Sequence, residues 1–244
     1  MMIDILKSRL TRNALAAVAI AAGSAVFAQD AFVAQVGNNN GGLNFSSGSG
    51  NSQAIIQQGN GNGAAQFVAG NDNATGVYQD GGANFALNGA RGDSNLVGVA
   101  QIGPENYAAA VAVGGSNAVG IAQIGSGNRS VLRVRGDGNA VGTLQVGASH
   151  IANIRVRGDD TVVGVAQFGS QRVANLLVVD RMDDSDDPLQ VGVVQNGVGS
   201  SPGLNLGMVR DNTYTRPTTT IGDVNASVLR RQNGDIVIRP LLGG

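Results

Sequence analysis

The sequence predicts an all-β chain wound as a parallel two-sheet β-solenoid of 22 residues per coil, with about 7–8 coils. Three observations lead there. Gln35, Gln57, Gln79, Gln101, Gln123, Gln145 and Gln167 recur every 22 residues without a slip. Glycine, 38 of 244 residues, falls at fixed places in that frame. Between the glycines, apolar residues alternate with period 2, the signature of a half-buried strand.

The chain opens with Lys7, Arg9 and Arg12, then an apolar stretch from Ala14 to Ala28. A cationic start, a short apolar core and a small-residue exit predict a secretory signal peptide over 1–28. The stretch is shorter than the roughly 20 residues a spanning helix needs, and no later segment is longer and as apolar, so stable membrane insertion is not expected. Loss of 1–28 would leave 13 arginines, no lysine and 16 carboxylates, a net charge of −3, which is the wrong sign for a general nucleic-acid binder. There is no cysteine, so export brings no disulfide, and packing and hydrogen bonds must hold the fold.

The repeat unit over 29–197 has two arms and two corners. One corner column is Gly37, Gly59, Gly81, Gly103, Gly125, Gly147 and Gly169; three residues on stand Asn40, Asn62, Asn84, Asn106 and Asn128, then His150 and Arg172. The other corner column is Gly48, Gly70, Gly92, Gly114, Gly136 and Gly158, followed by Asn51, Asn73, Asn95, Asn117 and Asn139, then Thr161. Glycine supplies the left-handed backbone of a tight corner, and asparagine tolerates that conformation and can bond its own turn. A first-arm strand is expected near 95–101 and a second-arm strand near 106–112, likewise in each unit. Val119, Ile121, Gln123, Asn128, Leu132 and Val134 are then inward, and Ala118, Gly120, Arg133 and Arg135 outward.

Stacking identical coils places Gln on Gln and Asn on Asn. Each buried amide can donate to one neighbouring coil and accept from the other, so these columns are expected to be structural ladders. A helix is excluded by a glycine every 11 residues, each costing about 1 kcal/mol in a helix interior. Disorder does not keep an unbroken 22-residue frame.

The frame breaks near Asp180. Asp183, Asp184, Asp186, Asp187 and Pro188 form an acidic insertion, read as a solvated corner loop, and the first arm returns at 191–197 six residues late. Residues 198–244 read as a degenerate repeat or C-terminal cap, with strands expected near 225–231 and 236–238.

Little in the composition suits catalysis. His150 is the only histidine and Glu105 the only glutamate; His150 reads as a tolerated corner substitution. No cofactor and no metal is expected. The corner Asp93, Asp137, Asp159 and Asp160 lack the nine-residue period of a calcium-binding β-roll. Two outward columns stand out. Arg133 over Arg155 and Arg135 over Arg157 form a cationic face, either solvated or facing anionic matrix polysaccharide or extracellular DNA. Gly76, Gly98, Gly120, Gly142, Gly164 and Gly192, flanked by Ala118, Ala122, Ala140 and Ala166, form a flat face suited to the close approach of another sheet.

At Gln57–Ala64, Gln79–Ala86 and Gln101–Ala108 the sequence resembles the curlin repeat, whose core is Gln-x-Gly-x-x-Asn-x-Ala. The resemblance covers about 29–197. The family's serine position holds Asn51, Asn73, Asn95, Asn117 and Asn139, and its final glutamine is replaced by Val68, Ala90, Ala112, Val134 and Val156. One of the family's two glutamine ladders is therefore absent. The resemblance implies a major, minor or nucleating subunit of secreted amyloid fibres serving biofilm and adhesion. Its partners would be its own copies, other curli-type subunits and an outer-membrane secretion machinery. A non-polymerising surface solenoid or adhesin is the alternative.

Overall fold

The computed structural model describes residues 30–180, 189–197, 203–210, 215–221, 226–230 and 236–240. The expected leader and the acidic insertion 183–187 lie outside them. Every described element is a strand, and among the described residues no helix is long and apolar enough to cross a membrane.

The first arms are β1 (Asp30–Val36), β3 (Ser52–Asn60), β5 (Ala74–Gly82), β7 (Leu96–Ile102), β9 (Ala118–Ser126), β11 (Ala140–Ala148), β13 (Val162–Ser170) and β15 (Gln190–Gly197). The second arms are β2 (Gly41–Ser47), β4 (Gly63–Ala69), β6 (Phe85–Arg91), β8 (Tyr107–Val113), β10 (Arg129–Arg135), β12 (Ile151–Arg157), β14 (Val173–Asp180) and β16 (Leu204–Arg210). Among β1 to β16, odd-numbered strands pair only with odd, and even with even, so consecutive strands lie in opposite sheets, as a solenoid requires. The pairing is parallel and in register. Gln101 lies opposite Gln79 and Gln123, and Arg133 opposite Val111 and Arg155. After the insertion Gln167 pairs with Gln195, so six extra residues leave the sheet without shifting its register.

The core is the strip between the sheets. Val97, Val119, Ile121, Leu132, Val134, Ile154 and Val178 are buried, whereas Ala118, Arg133 and Arg135 are exposed, as alternation predicts. Small and β-branched residues suit the position: the sheets approach to about 10 Å, which leaves room for two short side chains.

The two ends differ. Val33, in an inward column, is 43% exposed, while Ile55 one coil further on is 0% exposed. The other end stays closed: Leu204 is 0% exposed. There β17 (Thr215–Ile221) runs antiparallel to β16. In the other sheet β19 (Ile236–Pro240) pairs parallel with β15, and β18 (Ala226–Arg230) closes the edge antiparallel to β19. Within 198–244, then, β16 and β19 extend the two parallel sheets, while β17 and β18 reverse direction at their edges.

Candidate functional site

The features suited to function are the ladders, the open N-terminal face of the core and the two outer faces of the solenoid. The glutamine ladder is continuous. The side-chain amide of Gln57 donates to Gln79 at 2.8 Å, Gln79 to Gln101 at 2.8 Å and Gln101 to Gln123 at 2.9 Å; Gln123, Gln145 and Gln167 continue to Gln195. Gln35 starts it, donating to Gln57 at 2.6 Å. Each inner amide also donates across the strip to a backbone carbonyl, as Gln101 does to Phe85 at 3.1 Å. Both protons and the oxygen are used, which offsets the cost of burying the amide.

Asparagine runs the other way. The backbone and side-chain N–H groups of Asn84 both donate to Oδ1 of Asn62, and those of Asn106 to Asn84 and of Asn128 to Asn106. Three of these Nδ2 groups also reach the corner-glycine carbonyl of the next coil: Asn62 to Gly81, Asn106 to Gly125 and Asn128 to Gly147. The asparagine is therefore a tie between coils rather than the left-handed residue of its corner. That conformation falls one position earlier, at Ala83, Ser94, Glu105 and Ser149 among others, together with the corner glycine itself. Gly59, Gly81, Gly103, Gly125 and Gly147 in one column, and Gly70, Gly92, Gly114 and Gly136 in the other, all have positive φ. At Gly103 a Cβ would run into the carbonyl oxygen of Gly125, so glycine is required there twice over.

The second corner column holds a ladder of equal quality. Asn73 donates to Asn51, Asn95 to Asn73, Asn117 to Asn95 and Asn139 to Asn117, at 2.9–3.1 Å. Where the curlin motif would place a second glutamine row, this chain has valine or alanine, and the asparagine corner ties the second sheet instead. The shared Gly-x-x-Asn spacing carried that signal. Three further polar features were legible only as departures from apolar alternation. Gln53, Gln66, Thr75 and Asn88 form an inward polar group in the early coils, where Thr75 donates to Gln66 at 2.5 Å. Ser130 and Thr143 share an inward hydrogen bond of 2.8 Å. Asn153, Asn175 and Asn205 form an outward ladder, at 2.7 and 2.8 Å.

His150 is no passive substitution. It is 0% exposed and continues the asparagine ladder. Its backbone N–H donates to Asn128, Nε2 lies 3.2 Å from the carbonyl of Val146, and Nδ1 accepts from the backbone N–H of Arg172 at 3.2 Å. The contacts select the neutral tautomer with the proton on Nε2. Burial pushes its pKa below the ordinary value and the nearby Arg172 adds to this, against the Val146 and Gly169 carbonyls that favour the proton. Both ring nitrogens are thus committed to backbone groups of the stack.

The glycine column of the outer face is in register from Gly76 to Gly192, and an added Cβ at Gly98, Gly120, Gly164 or Gly192 would meet nothing within 4 Å. Leu96, Val162 and Val194 are exposed beside it. On the opposite face Arg133 and Arg135 stack in register with Arg155 and Arg157. No family model matches the chain, and no curated protein matches it.

Proposed function

We propose that the chain is a structural subunit of extracellular fibres, of the kind its curlin-like repeats imply, and that it associates through the N-terminal face of its core. The observation behind this reading is the difference between the ends. At the N-terminal end Val33 and Gln35 are inward-column residues left exposed, and Gln35 donates one amide proton to Gln57 as the first rung of the ladder. β1 and β2 are the edge strands there among the described residues. A parallel in-register strand bearing Gln and Asn at matching positions would continue all three ladders and cover the apolar columns. Such repetition is the physical basis of cross-β growth. The resemblance, rather than the geometry, points to secretion through an outer membrane and to a matrix or adhesive role.

A second reading has an observation of its own. The antiparallel strands β17 and β18 interrupt the parallel pattern at the far edges. A solenoid closed in this way suits a non-polymerising surface adhesin. The two readings separate in one experiment: follow thioflavin fluorescence and seeding of the purified chain, beside a Val33→Asp variant that charges the open face. Fibre growth by the parent chain and its loss in a still-folded variant support the subunit. A chain that stays monomeric at high concentration and is not recruited to preformed fibres sinks it in favour of the adhesin.

A further inference from the structure

The outer face of the second-arm sheet carries a shallow groove of about 490 Å³ over β10, β12, β14 and β16. Its lining combines two guanidinium groups, Arg133 and Arg155, with the outward amides of Asn153, Asn175 and Asn205 and an apolar floor that includes Val131. We propose that this groove binds an extended acidic polysaccharide, the arginines taking its carboxylates and the amide row its hydroxyls.

Charge is the first argument. Arg133 and Arg155 are register partners, as are Arg135 and Arg157, so four like charges share a patch with rows about 4.8 Å apart. Stacked cations repel, and nearby acids would be expected to offset them. The nearest acids in sequence are engaged elsewhere: Asp137 accepts from the backbone N–H of Gly115 at 2.6 Å, and Asp159 from that of Asp137 at 2.7 Å. Among the described residues no ion pair or hydrogen bond engages the guanidinium of any of the four arginines, whose bonds are those of the backbone. Arg129 and Arg172 differ: one lies 4.6 Å from the Tyr107 ring centroid, and the other donates to the carbonyl of Gly197.

The amide row is the second argument. Asn153 donates to Asn175 and Asn175 to Asn205, which orients three amides side by side at strand spacing while each keeps bonding capacity toward solvent. A row of pre-set donors and acceptors beside a row of guanidinium forks suits a polymer that presents hydroxyls and one planar carboxylate per ring. Guanidinium binds carboxylate through two parallel bonds. Nucleic acid fits less well. The lining has no aromatic side chain on which a base could stack, and phosphates alone would leave the amides unused. The groove is complete within one chain, so the inference stands or falls independently of fibre assembly.

The test is fluorescence anisotropy of labelled polygalacturonate with the full chain, circular dichroism confirming that each variant is folded. The polymer is expected to bind, and its fully methyl-esterified form to lose binding. Arg133→Gln combined with Arg155→Gln should weaken affinity by about tenfold or more, while Arg91→Gln, on the same sheet outside the groove, leaves it unchanged. Asn175→Ala should weaken polygalacturonate but not dextran sulfate, a charge-only probe. Equal binding by the double arginine variant, retained binding of the esterified polymer, or tighter binding of double-stranded DNA with Asn175→Ala silent on polygalacturonate would each overturn the proposal.

Discussion

A single buried imidazole gives this chain a pH response that the asparagines elsewhere in the same column do not provide. His150 is held neutral because Nδ1 accepts from the Arg172 backbone and burial disfavours the cation. Its native pKa lies below its ordinary value of 6.5, so the unfolded chain takes up the proton first as pH falls. The stabilisation is complete above the ordinary pKa, declines as pH drops toward the native pKa, and does not change further below that. Urea melts of the parent and of His150→Asn should show this slope in the parent alone, since asparagine reproduces the ladder without a proton to gain. Neighbouring residues on one strand test sidedness. Leu132 is 0% exposed and Arg133 is exposed. Leu132→Asp places an unpaired charge in a core two side chains thick and should cost several kcal/mol, while Arg133→Asp should cost little. Equal losses in the denaturant midpoint would contradict the in–out assignment.

At the scale of the coil, glycine has two unrelated jobs, and substitution separates them. Gly103 has φ +106° and faces the Gly125 carbonyl of the next coil, so Gly103→Ala must shift the corner and loosen the stack. Gly120 lies mid-strand with an open outer face, where Gly120→Ala should be neutral or stabilising by about 0.5–1 kcal/mol through reduced freedom of the unfolded chain. Thermal melting of the two variants should diverge in sign. Both glycines look alike in composition, and only their place in the 22-residue frame distinguishes them. That frame made the strands, their register and the inward columns readable, because alternation and stacking are local consequences of a repeat. Other features were less accessible. The spacing Gly-x-x-Asn marks a corner without saying which of its residues turns left-handed, so the role of asparagine as an inter-coil tie emerged only with the backbone. His150 reads as a tolerated corner substitution as long as its column is only a turn; once the column is a ladder, a ring with one donor and one acceptor fits it. The Asn153–Asn175–Asn205 row crosses the insertion, which hides its period.

At the scale of the molecule, the subunit reading turns on the asymmetry of the ends. Beyond Gly197 the sequence no longer repeats, so nothing local predicts that β17 and β18 run antiparallel or which strands they cover. Their effect is physical all the same. A parallel stack grows when an incoming strand meets matching N–H and C=O rows and matching side-chain columns. The open N-terminal face offers both. At the other end the antiparallel strands present a different hydrogen-bond pattern and no continuation of the glutamine ladder past Gln195: β19 pairs with β15 only from Val191 to Val193. Under the subunit reading, the far end is therefore the slow end, and growth requires the C-terminal strands to be displaced. Deleting 198–244 removes that barrier along with β16, and leaves Val178 and the glutamine ladder facing the next coil. The truncated chain should form fibres with a shorter lag and a faster seeded rate than the parent, with a cross-β spacing near 4.8 Å along the fibre. Val33→Asp in the truncated background should abolish the gain, because elongation then has a free far end but no complementary near end. Seeded thioflavin traces of the four chains, parent and truncated with and without Val33→Asp, give the answer directly. If truncation leaves the lag unchanged while both faces are intact, the C-terminal strands are not what limits assembly.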